Sequence, residues 1–80
     1  MRLDKYLKVS RLIKRRTVAN EACDSGLVEV NGRPVRASYE VKEGDHISLK
    51  MGSRAVTVEV TAVQETVRPG EILYREIGSN

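Results

Sequence analysis

At Gly26 the spacing of apolar residues changes from a period of 3.6 to a period of 2, which commits the chain to helices first and strands after. Before the switch, Leu3, Tyr6, Leu7 and Ser10 fall on one face at 100° per residue, with Lys5 and Lys8 opposite. That pattern predicts an amphipathic helix over about 3–10, with a continuation through Leu12 and Ile13 left open. The apolar stripe stops at the run Lys14-Arg15-Arg16. Thr17 is the expected cap of a second helix, whose stripe is Val18, Ala19, Ala22 and Cys23. Gly26 follows as the residue that closes it, where a positive φ is needed.

After Gly26 the apolar residues alternate. Val28-Glu29-Val30 reads as a strand, Asn31-Gly32 is the strongest two-residue hairpin signal, and Val35 is expected to resume the ladder. Glu43-Gly44-Asp45 reads as a turn, and His46 to Met51 as a strand with Ile47 and Leu49 inward. Gly52-Ser53 turns into the longest strand, where Val56, Val58, Val60 and Ala62 alternate with Thr57, Glu59 and Thr61. Pro69-Gly70 breaks the chain, and Ile72 to Ile77 is the last expected strand. The predicted fold is α+β: two N-terminal helices packed on a small, mostly antiparallel sheet with a short strand-like C-terminal extension. We expect one unit over 1–62, with 63–80 as an extension of the same domain, because 80 residues cannot divide their apolar content between two cores.

The core has to be built from small aliphatic side chains. The chain has no Trp or Phe and three Tyr. Such a core leaves little room for an enclosed catalytic pocket, which usually needs about 300 Å³ or more. One His and one Cys do not make up the usual zinc ligand set, so no metal or other cofactor is expected. His46 reads as an exposed strand-end residue and Cys23 as a buried, inert thiol. The glycines form neither a dinucleotide nor a phosphate-loop fingerprint, and we expect no enzyme activity. A lone cysteine fits a reducing compartment, and no apolar run approaches the ~18 residues of a membrane span.

Charge is what points to a partner. Residues 1–16 carry Arg2, Lys5, Lys8, Arg11, Lys14, Arg15 and Arg16 against Asp4 alone, a net of +6, whereas residues 17–80 carry a net of −3. An exposed helix without a binding role would interleave these cations with Glu at i,i+4. Seven like charges repel one another unless a polyanion neutralises them, and nucleic acid or an anionic membrane surface are the candidates. Against the membrane, residues 1–16 lack the Trp, Phe or dense Leu face of an interfacial helix.

The residues then carry a resemblance. Met1-Arg2-Leu3-Asp4-Lys5-Tyr6-Leu7, Ser10-Arg11, and Arg15-Arg16-Thr17 with Ala19 and Ala22 resemble the helical half of the RNA-binding domain of small-subunit ribosomal protein S-four. Gly26 to Gly32, Val35, Ser38, Val41 and Gly44-Asp45-His46-Ile47 resemble its strand half. In length and in its first seventeen residues the chain is most similar to the RqcP (formerly YabO) family. It departs from the related heat-shock protein fifteen type, because residues 51–80 are short and neutral to acidic rather than a long basic extension.

That resemblance implies a ribosome quality control adaptor in the cytoplasm. Such proteins bind large-subunit rRNA on a subunit still holding peptidyl-tRNA. With an RqcH-type factor that brings alanyl-tRNA, they support alanine tailing of the stalled chain. The alternative is a heat-shock-type or general rRNA- or tRNA-binding protein of the same fold without the tailing role. The site residues on either view are the seven cations, led by Arg2, Arg11, Arg15 and Arg16, since a guanidinium can grip a phosphate bidentately or stack on a base. Asp4 reads either as a cap of the first helix or as an RNA contact. Tyr6, Tyr39 and Tyr74 read as core or rim rather than as stacking platforms. A monomer is expected away from the ribosome.

Overall fold

The computed structural model describes residues 1–79. Helices α1 (Leu3–Val9) and α2 (Arg16–Asp24) precede strands β1 (Val28–Val30), β2 (Arg33–Pro34), β3 (His46–Met51), β4 (Arg54–Val60) and β5 (Tyr74–Ser79). The strands form one sheet in the order β2-β1-β3-β4-β5, every pairing antiparallel. This is the α+β architecture expected from the period switch.

The helices and one face of the sheet share a single core. Leu3, Tyr6 and Leu7 of α1 and Ala19, Ala22 and Cys23 of α2 are buried against Val28, Val30, Ile47, Leu49, Val58 and Val60 of the sheet. Helix α1 therefore buries the stripe that its spacing marked, and α2 buries its own except for Val18, which is 42% exposed. Truncating any of the large members, Leu7 or Ile47 for example, costs about 2–5 kcal/mol in a core this small. The Tyr6 hydroxyl crosses the core to donate to the Leu73 carbonyl at 2.8 Å, tying α1 to the C-terminal segment. Burial and the neighbouring Tyr74 push the Tyr6 phenol well above its ordinary range.

Turn chemistry follows the sequence closely. Asn31 and Gly32 both have positive φ, 53° and 84°, the two-residue hairpin that Asn-Gly favours. Asn31 does more than turn the chain. Its side chain donates to Asp45 Oδ1 at 3.2 Å and accepts the His46 N–H at 3.0 Å, which bolts the hairpin to the start of β3. Gly26, at φ 76°, closes α2 with two bonds: its own N–H to the Cys23 carbonyl, and the Leu27 N–H to the Ala22 carbonyl.

The continuation through Leu12 and Ile13 that the spacing left open does not occur, because α1 ends at Val9. Four expectations need correction. The longest strand stops at Val60, so Thr61 and Ala62 lie outside it. Thr17 does not cap α2: the helix begins at Arg16, Arg15 holds the cap position with extended backbone, and no side chain caps it. Val35 lies outside the ladder, since β2 ends at Pro34, whose missing N–H confines it to an edge. The last strand starts at Tyr74 rather than Ile72, which is 70% exposed; the β4–β5 register also shifts between Thr57 and Val58. Alternating hydrophobicity cannot foresee an irregularity of that kind.

Candidate nucleic-acid interface

The N-terminus is fixed by backbone pairing. The Leu3 N–H donates to the Tyr39 carbonyl at 2.8 Å and the Val41 N–H to the Met1 carbonyl at 3.0 Å, with Arg2 bridging Glu40 between them. Arg2 therefore leaves a stationary backbone immediately before α1. Asp4 follows in the first turn and is 2% exposed.

A buried carboxylate is costly unless it is paired and hydrogen-bonded, and Asp4 is surrounded by donors. Arg2 Nε donates to Oδ1 at 3.1 Å and Arg2 Nη2 to Oδ2 at 3.3 Å. Asn20 Nδ2 donates to Oδ2 at 3.1 Å and the Lys5 backbone N–H to Oδ1 at 2.8 Å. Arg16 Nε lies 3.5 Å from Oδ2. Burial alone raises the Asp4 carboxyl, but the Arg2, Asn20 and Lys5 hydrogen bonds and the Arg16 charge outweigh it and hold the group at about 2. Asp4 stays ionised at any physiological pH.

This carboxylate organises the two arginines. Arg16 and Asn20 share a face of α2 one turn apart, so α2 presents both to the first turn of α1. Arg2 engages Asp4 through two of a guanidinium's five N–H groups, and the Arg2 and Arg16 side chains remain about half exposed, at 50% and 46%. Two planar cations are thereby aimed from one surface with donors to spare. Beside them, Arg16, Thr17 and Asn20, together with Asp4 and Glu21, line a shallow concavity of about 370 Å³. Such a pair suits oxyanions, above all phosphate.

The other five cations are distributed differently. Lys8, Arg11 and Lys14 line a second open concavity of about 510 Å³, with Val9 and Val67 as its apolar walls. None of these three makes an ion pair with a carboxylate among the described residues. Lys5 pairs with Glu65 of the C-terminal segment. Arg15 lines a groove with Leu12, Val18 and Met51 that shares Lys14 with the hollow. The seven cations thus fall into four groups: the Asp4-held pair, the Lys8–Arg11–Lys14 hollow, Lys5 with Glu65, and Arg15.

Arg11 stands out in backbone terms. It adopts φ 68°, and its N–H donates to the Lys8 carbonyl at 3.0 Å to close α1. That position normally selects glycine, because a side chain in the left-handed region costs about 1–2 kcal/mol.

Sequence reasoning missed Asn20 and Glu65 and underrated Asp4. Asp4 is neither a simple cap nor an outward RNA contact, since it accepts a helix N–H and steers two arginines from below the surface. A lone acid amid seven cations was the available signal, and its meaning depended on how α2 packs. The tyrosines are structural: Tyr6 is buried, and Tyr39 donates to Asp45 Oδ2 at 2.9 Å. Cys23 is buried, and that burial, together with the Asp4 and Asp24 charges, pushes its thiol up to about 11, where it is unreactive. His46 is exposed at its strand end. Among the described residues no helix is long and apolar enough to cross a membrane.

Comparison with known proteins places this geometry. Residues 1–47 match the S4 domain family. The chain is 58% identical over 71 residues to the RQC P-site tRNA stabilizing factor of Halalkalibacterium halodurans, covering 89% of this chain and 81% of the relative. It is 49% identical over 71 residues to the Bacillus subtilis protein of the same name, covering 89% and 83%. Among solved structures, Vibrio cholerae heat shock protein 15, described as trimeric, superposes with a TM-score of 0.88 at 32% identity, covering 96% of this chain and 81% of that one. The S4 domain match over 1–47 spans both helices, β1, β2 and the first two residues of β3, the region that holds Asp4 and its arginines. The chain belongs to the S4 domain family, in the branch of the RQC P-site tRNA stabilizing factors.

Proposed function

We propose that this protein is a non-enzymatic RNA-binding adaptor of ribosome quality control. It engages large-subunit rRNA and peptidyl-tRNA in the cytoplasm and supports alanine tailing of stalled nascent chains together with an RqcH-type factor. The observation that carries the reading is the Arg2–Arg16 pair, held by a buried carboxylate and half exposed on one surface. The relatives' shared name, which speaks of stabilising a P-site tRNA, supports the choice of RNA and of process.

Arg2 and Arg16 act as oriented forks, and Lys5, Lys8, Arg11, Lys14 and Arg15 contribute charge around them. Phosphate contacts of this kind fix register and supply affinity through counterion release, while the shape of the folded RNA supplies selectivity. The domain works over 1–62 with 63–80 as its extension, needs no cofactor, and is monomeric away from the ribosome.

A second reading, a heat-shock-type RNA-binding protein without the tailing role, is favoured by the closeness of the heat shock protein 15 fold. Affinity purification from cells separates the two. Large subunits bearing peptidyl-tRNA together with an RqcH-type partner support the adaptor, whereas free RNA or intact ribosomes support the second reading. If four to six of the cations meet phosphates, log K for large-subunit binding falls with log salt at a slope of about −3 to −5. A binding constant flat between low and physiological salt refutes the phosphate-contact account.

A further inference from the structure

Alongside α2, away from the Arg2–Arg16 pair, two hollows join into one groove. The first, about 490 Å³, is lined by Leu12, Ile13, Lys14, Arg15, Val18 and Met51. The second, about 310 Å³, shares Val18 and Met51 and continues to Leu27 and Lys50. Val18, Leu27 and Met51 are each 42% exposed, although α2 already buries its core stripe through Ala19, Ala22 and Cys23. Three large apolar side chains thus form a stripe that the fold does not use. Contiguous patches of this type mark interaction sites, and methionine adapts its shape to a bound partner.

Length and chemistry narrow the occupant. The groove follows α2, whose nine residues span about 13 Å, the length of two to three turns of a docked helix. Its lining is aliphatic, with no aromatic face to stack a base. Lys14, Arg15 and Lys50 stand along its rim, against Glu21 as the single lining carboxylate. We propose that this groove docks an acidic amphipathic helix of a partner protein, with apolar residues at i, i+3/i+4 and i+7 over Leu12, Val18, Met51 and Leu27, and carboxylates facing Lys14, Arg15 and Lys50. The docked helix lies beside the RNA surface, sharing only its Lys14–Arg15 border.

Lys50 and Met51 belong to the groove and not to the seven cations, which separates this surface experimentally from RNA binding. The test places a photo-crosslinking residue at position 51 in the full chain, illuminates cells, and identifies the crosslinked peptides by mass spectrometry. The expected product is one protein segment with helical apolar spacing and net negative flanks. A synthetic peptide of that segment then binds the purified chain and loses at least tenfold in affinity against Lys50→Glu, while large-subunit pelleting by Lys50→Glu stays within twofold of wild type. Crosslinks to RNA alone, no crosslinks, a basic or non-periodic segment, or an affinity unchanged by Lys50→Glu each overturn the proposal. Loss of subunit pelleting by Lys50→Glu, with its melting temperature unchanged, overturns the separation of the two surfaces.

Discussion

Asp4 and Asp45 are both buried carboxylates held in ionised form by surrounding donors, yet they organise different elements. Asp4 gathers Arg2, Arg16 and Asn20, side chains that reach the surface of the helical half. Asp45 accepts the Tyr39 hydroxyl at 2.9 Å, Asn31 Nδ2 at 3.2 Å and the Lys42 N–H at 3.0 Å, all within the turns that feed the sheet. Burial raises the Asp45 carboxyl by itself, but the Lys42, Asn31 and Tyr39 bonds outweigh it and keep it below its ordinary value. One device thus does two jobs. In the sheet half a buried charge closes loops; in the helical half it aims cations outward.

The largest expected effect comes from removing the loop-closing charge. Asp45→Ala leaves the Tyr39 hydroxyl, the Asn31 amide and the Lys42 N–H without their acceptor and destabilises the fold by about 3 kcal/mol. For a domain of this size that lowers the melting temperature by roughly 15 °C. At a temperature where the variant is still folded, subunit pelleting stays near wild type, because no cation has moved. A variant that melts normally but fails to pellet breaks the division between the two aspartates.

Arg16→Ala is the mirror case. Asp4 keeps Arg2, Asn20 and the Lys5 N–H, so the fold survives with a melting temperature within a few degrees of wild type. A charged hydrogen bond to RNA contributes on the order of 1.5–3 kcal/mol, so large-subunit affinity falls roughly ten- to a hundredfold. Arg16→Lys recovers only part, since an ammonium keeps the charge and loses the fork. Wild-type pelleting by folded Arg16→Ala removes Arg16 from the interface, and full rescue by lysine reduces it to a point charge.

What the sequence made legible and what it hid divide along the same line. The core stripes, the Asn31-Gly32 hairpin and the Gly26 helix end are local: each is decided by the period or conformational freedom of neighbouring residues. The cation set was legible as charge density in residues 1–16. Its division into an Asp4-held pair, a Lys5–Glu65 ion pair, a Lys8–Arg11–Lys14 hollow and an Arg15 groove was not, because it depends on how α2 and the C-terminal segment pack on α1. Asn20 lies sixteen residues from Asp4, and Glu65 sixty from Lys5. No spacing rule links such pairs.

Acid sharpens the comparison. An unfolded aspartate titrates near ~3.9, whereas folded Asp4 titrates at about 2. A depressed folded value means that the stabilisation is fully present above the unfolded value and is lost as pH falls through the folded one. For Asp4 it amounts to on the order of 2 kcal/mol, lost progressively between about pH 4 and pH 2. Asp4→Asn should therefore lower stability at pH 7 and flatten the acid limb, so that the variant and wild type converge toward pH 2. It should also weaken subunit binding at pH 7, because Arg2 and Arg16 lose their common anchor. Parallel stability curves across that range would show that Asp4 is not the titrating group.

The smallest effect is expected where the two helix ends differ. Gly26 and Arg11 close α2 and α1 with the same left-handed turn, at φ 76° and 68°, and in both the residue's N–H returns to a carbonyl three positions back. A Cβ at Gly26 meets nothing within 4 Å, so Gly26→Ala costs only the conformational term, about 1 kcal/mol. At the other end an arginine carries that cost in the wild type. Arg11→Gly releases the strain and gives part of it back through the freer unfolded chain, for a net gain below ~1 kcal/mol and a rise of at most a few degrees in melting temperature. A fold selected for stability alone would place glycine there. Arginine's presence in the left-handed position is explained if its side chain is needed over the Lys8–Lys14 hollow. Arg11→Gly is then more stable, binds large subunits more weakly, and shows a salt slope shallower by about 0.7–0.9, one phosphate contact fewer. An unchanged slope in the stabilised variant would remove Arg11 from the interface and leave its left-handed backbone without a functional reason.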